Sequence, residues 1–74
     1  MRHERISVDP NVMVGKPVIK GTRITVELIL RMLGRGHTIE SLLDGYPTLC
    51  REDILAAQVF AADYLADERL AEVG

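Results

Sequence analysis

Gly15-Lys16 stands where a phosphate-binding loop would end, but the loop itself is missing. Pro10 occupies the place of its first glycine, and Pro17 replaces the serine or threonine that would hold magnesium. His37 and Glu40 are two potential metal ligands at i, i+3, yet a metal needs a third, and a solvated or capping histidine beside Gly36 fits better. Cys50 with the distant His3 and His37 is too poor a set for structural zinc, and a single cysteine forms no internal disulfide. Neither Ser7 nor Ser41 lies in the strand-turn-helix context of an activated nucleophile, and no base stands near Cys50. The expectation is a protein that is not an enzyme, with no catalytic residue, metal, cofactor or small-molecule substrate.

Charge is the second chemistry on offer. The net charge of -2 over 74 residues conceals two opposed halves. Residues 1–37 carry seven cations against three carboxylates, a net +4, whereas residues 38–74 carry two cations against eight carboxylates, a net -6. The basic half suits phosphate, with Arg2, Arg5, Lys16, Lys20 and Arg23 as the expected nucleic-acid contacts. The acidic half suits a basic protein: Glu52, Asp53, Asp63 and Asp67 fall on or near one helical sector, with Glu68 and Glu72 beyond. Neutralisation of one half by the other across a dimer interface is the competing reading.

The elements that must position these groups begin with an extended arm. Residues 1–24 alternate short apolar runs (Ile6, Val8, Val12-Met13-Val14, Val18-Ile19) with turn chemistry at Asp9-Pro10-Asn11, Gly15-Lys16-Pro17 and Gly21, which predicts a β-hairpin or arm. Helical spacing takes over at Val26, with Thr25 as N-cap, a Glu27 to Arg31 pair at i, i+4, and Gly34 and Gly36 as the stop. Thr38 caps a short second helix from Ile39 to Asp44, with Ile39, Leu42 and Leu43 on its buried face. A third helix runs from Arg51 to about Leu70, with Cys50, a poor cap, at its head and Leu49 and Ile54 placed for a hydrophobic staple.

Two apolar stripes mark the third helix. Ile54, Leu55, Gln58, Ala61, Ala62 and Leu65 form the arc that the first two helices should cover. Ala57, Phe60 and Tyr64 form a second stripe, either a contact with another protein or the seat of the N-terminal arm. A core this small usually needs support, and without disulfide or metal the expected support is a homodimer, with Ala57, Phe60, Tyr64, Asp63 and Asp67 as partner or dimer contacts. Residues 1–74 read as one domain, a 1–24 arm followed by a 25–74 bundle. No run of eighteen apolar residues and no apolar stretch behind Met1-Arg2-His3-Glu4-Arg5 occurs, so the expectation is a cytoplasmic protein with no membrane partner.

Three helices, the second short and the third long, match a helix-turn-helix layout, and DNA is a further expected partner. The turn that would enter the major groove is Arg51-Glu52-Asp53, whose two carboxylates make it a poor reader of bases. Asp9-Pro10, the string Gly15-Lys16-Pro17-Val18-Ile19-Lys20-Gly21-Thr22-Arg23-Ile24, the opening Val26-Glu27-Leu28-Ile29, and Tyr46-Pro47 before an alanine-rich helix resemble the bacterial family called domain of unknown function 433. The resemblance runs from Ile6 to about Leu65. It implies a mainly α, homeodomain-like three-helix fold with an N-terminal β-arm, dimerisation, and the role of an antitoxin that neutralises a nuclease-type toxin encoded nearby. The family pattern usually has Ser or Thr at Cys50 and Gly at Val14. Gly21-Thr22-Arg23 reads structurally, Arg23 pinning the arm to a carboxylate, or else as a phosphate contact. A stand-alone helix-turn-helix regulator is the alternative function.

Overall fold

The computed structural model describes residues 3–67. Its elements are β1 (Ile6–Ser7), β2 (Val18–Ile19), α1 (Val26–Gly34), α2 (Ile39–Gly45) and α3 (Arg51–Ala66). The fold is therefore mainly α, with three helices behind a small hairpin, as the sequence predicts. None of the described helices is long and apolar enough to cross a membrane.

The hairpin is antiparallel, with Ile6 opposite Ile19 and Ser7 opposite Val18. Two-residue strands have no stability of their own, and these are held by burial: Val18 and Ile19 are each 2% exposed. Between the strands, Asp9 Oδ1 accepts from the Asn11 N–H at 2.9 Å, and Met13, Val14 and Gly15 follow with φ of 50°, 52° and 81°. After β2 the chain reverses at Gly21 (φ 82°), while Thr22 Oγ1 donates to the Ile19 carbonyl at 2.8 Å and accepts from the Ile24 N–H at 3.0 Å. That turn delivers Thr25 to the head of α1.

Each helix starts where a side chain satisfies its free N–H groups. Thr25 Oγ1 accepts from Leu28 N–H at 3.0 Å. Thr38 and Ser41 form a reciprocal box, Thr38 Oγ1 accepting from Ser41 N–H (3.0 Å) and Ser41 Oγ from Thr38 N–H (3.1 Å). At α3 the poor cap Cys50 is compensated by Asp53, whose Oδ2 accepts from the Cys50 N–H at 3.1 Å. α1 ends in a Schellman motif: His37 N–H reaches the Met32 carbonyl, Gly36 N–H reaches Leu33, and Gly36 takes φ 98°.

Ile19, Val26, Ile29, Leu42, Leu49, Ile54 and Ala57 make up the core, with Phe60, Leu30 and Ile6 packed against it. The staple residues Leu49 and Ile54 are both buried here. α3 departs from the sequence reading in its rotation. Of the arc expected to be covered, only Ile54 is buried; Leu55 and Leu65 are 44% and 54% exposed, and Gln58 and Ala62 are exposed too. The core lies instead under Asp53, Ile54 and Ala57, roughly a quarter-turn away at 3.6 residues per turn. The expected continuation of this helix to Leu70 lies outside the described residues.

Candidate functional site

α3 faces the core on one side; among the described residues its opposite side is open, flanked by His3, Glu4 and Arg5 of the arm, which line a shallow hollow with Glu52, Leu55 and Val59. Leu55, Val59, Ala62 and Ala66 recur there at spacings of four, three and four, the seam spacing of packed helices, and all four are exposed. Glu52 is exposed beside Leu55 and Val59 on that side, and Asp67 is exposed at the C-terminal end. Near that end, Tyr64 (58% exposed) and Leu65 line an open groove whose other wall is Pro17, Val26 and Leu30, with Glu27 and Arg31 at its rim.

The contact residues expected from sequence divide accordingly. Ala57 is corrected outright: it is 0% exposed and belongs to the core, so no partner can touch it. Phe60 is half-buried, with the His3 ring edge-on at 5.1 Å, so the arm does fold over part of this stripe. Tyr64 stacks beside Phe60 at 6.4 Å and stays exposed. Asp63 is half-buried and 3.2 Å from His3 Nε2, whereas Asp67 is exposed. Leu55 and Val59 were assigned no outward role by the sequence, because a helix apolar over most of its surface gives no contrast between its sides.

The basic residues are also sorted by the fold. Arg2 lies outside the described residues. Arg5 Nη1 donates to Asp53 Oδ1 at 3.0 Å, a contact that raises its own pKa. Burial pushes the Asp53 carboxyl up, but the Cys50 N–H and the Arg5 guanidinium outweigh it and hold the carboxyl below the ordinary aspartate value. Asp53 is thus a buried clamp between arm and α3, and no part of an acidic surface. Lys16 Nζ meets Glu27 Oε1 at 3.1 Å, and Arg31 Nη2 meets Glu27 Oε2 at 3.0 Å; Lys16 first and Arg31 second lower the Glu27 pKa. Lys20 and Arg23 are exposed and make no ion pair with the described residues, so the carboxylate pin expected of Arg23 is not formed among them.

Comparison with known proteins gives one family. The family model described as "Protein of unknown function (DUF433)" matches residues 6–61. An uncharacterized protein, y4eO, of Sinorhizobium fredii is 33% identical over 58 residues, covering 78% of this chain and 26% of its own. An uncharacterized protein of Archaeoglobus fulgidus is 66% identical over 29 residues, 39% of this chain and 81% of its own. The crystal structure of a DUF433 member from Anabaena variabilis superposes with a TM-score of 0.77 at 32% identity, covering 80% of this chain and 58% of that one. The chain thus spans about a quarter of the Sinorhizobium relative and somewhat over half of the Anabaena chain.

Proposed function

The chain belongs to the DUF433 family, and we propose that it serves there as a non-enzymatic, antitoxin-like binding module that holds a partner protein on the outward side of α3. One observation carries this reading: α3 turns Leu55 and Val59 to solvent at helix-packing spacing, with Glu52 beside them and Asp67 at the end. Exposed leucine and valine at that spacing offer a dry seam, and flanking carboxylates set the sign of what docks. The occupant is an apolar ridge flanked by Lys or Arg, the surface expected of a nuclease built to hold nucleic-acid phosphates. A second copy is a poorer fit on this side, since it brings the same carboxylates.

The groove beside Tyr64 suits a second copy better. Its rim carries one carboxylate and one guanidinium, Glu27 and Arg31, so a two-fold axis sets opposite charges against each other. We therefore propose the groove as the seat of a homodimer, which leaves the outward side of α3 for the partner. A second functional reading, a DNA-binding regulator, is favoured by the exposed Lys20 and Arg23. It is weakened by the first turn of α3, where Glu52 is exposed and would face phosphate.

Co-expression with the product of the adjacent reading frame, followed by size-exclusion chromatography, tests the leading reading. Co-elution as a stoichiometric complex is the expected result. Separate elution, together with retention of operator DNA by the domain alone, favours the regulator.

A further inference from the structure

We infer that a phosphate group is held in the concavity at the head of α1, by Lys16, Arg23 and Arg31 together. These three cations, which sequence separates by up to fifteen positions, line one open hollow of about 290 Å³ with Thr25, Glu27 and Leu28. Glu27 is the lone carboxylate in that lining. It accepts one bond from Lys16 and one from Arg31, a different oxygen for each.

Donor accounting decides what else the hollow can hold. An ammonium has three N–H donors and a guanidinium five. Glu27 takes a single contact from each neighbour, and the exposed Arg23 side chain takes part in none of the side-chain hydrogen bonds or ion pairs among the described residues. Among the described residues most of the donors around the hollow therefore remain open, and its lining holds three cations against one carboxylate. The positive end of the α1 dipole adds to the same sign. Glu27 also preorganises the site, since it holds Lys16 and Arg31 on either side of itself before any ligand arrives. A group with several acceptor oxygens and negative charge completes this arrangement, as phosphate does. Arg31 was absent from the nucleic-acid contacts expected from sequence; the turn of α1 brings it to Lys16 and Arg23.

This site is separate from the partner surface on α3 but shares Glu27 and Arg31 with the rim of the Tyr64 groove, so a second copy and phosphate compete for Arg31. It rests on the nucleic-acid reading and deepens it by stating where phosphate sits. The test titrates the isotope-labelled domain with inorganic phosphate and, separately, with a short random-sequence DNA duplex, following backbone amide shifts. Shifts centred on Arg23, Glu27 and Leu28 are expected, with Arg23→Ala weakening binding about tenfold and Arg35→Ala, exposed but outside the hollow, leaving it unchanged. With the duplex, Arg23→Ala also flattens the salt dependence by about one unit. Shifts with phosphate but no duplex binding keep the site, assign it to a small phosphorylated ligand, and end the nucleic-acid reading. Duplex binding that Arg23→Ala and Arg35→Ala weaken equally, or shifts centred elsewhere, overturns the site while leaving nucleic-acid binding in place.

Discussion

Asp53 joins three parts of the molecule through one carboxylate: the arm through Arg5, the α2–α3 connection through the Cys50 N–H, and the first turn of α3. Asp53→Ala removes the cap at an already weak Cys50 position and is expected to destabilise the domain by about 1–2 kcal/mol in urea denaturation. Its pKa lies below the unfolded value, so its contribution is present above the ordinary aspartate pKa and lost as pH falls through the folded one. As pH falls from about 5 through the lowered folded-state pKa, the wild type should therefore lose more stability than Asp53→Asn. Val14 works the other way. A β-branched residue at φ 52° is strained, whereas a glycine adopts this conformation freely. Val14→Gly is expected to raise stability by about 0.5–1 kcal/mol, the relief of strain exceeding the added chain entropy; an unchanged urea midpoint contradicts this.

Helix starts were legible in the sequence because caps are local: Thr25, Thr38 and Cys50 occupy the N-cap positions that residue type and spacing assign. The facing of α3 was not legible, because Ile54, Leu55, Ala57, Val59, Phe60 and Ala61 leave few polar residues to mark a wet side. What turns Ala57 inward is long-range, namely α1 on one side and β1 on the other, both in contact with α3. The role of Asp53 was missed for the same reason, since its partner Arg5 lies 48 positions away. This facing predicts opposite outcomes on the two sides of one helix. Ala57→Leu overpacks the core and is expected to cost about 1–3 kcal/mol, whereas Val59→Ala changes stability by less than about 0.5 kcal/mol. Comparable thermal shifts for the two variants contradict the assignment.

At the scale of the whole molecule, the strong charge division between the halves of the chain is partly consumed within the fold, by Arg5 on Asp53. What survives at the surface of the described residues is a hollow lined by Lys16, Arg23 and Arg31 at the head of α1 and an apolar seam with carboxylates on α3. If the groove seats a second copy, light scattering gives a dimer for the wild type and a folded monomer for Tyr64→Asp, whose side chain is exposed in the free domain; a Tyr64→Asp dimer removes the groove from the interface. The central claim is that the outward side of α3 binds the partner, and calorimetry of Val59→Asp against the protein encoded beside it tests this most directly. Val59 is 54% exposed, so the variant should keep the wild-type melting temperature while its affinity falls by more than about thirtyfold. Wild-type affinity in a folded Val59→Asp would contradict the account.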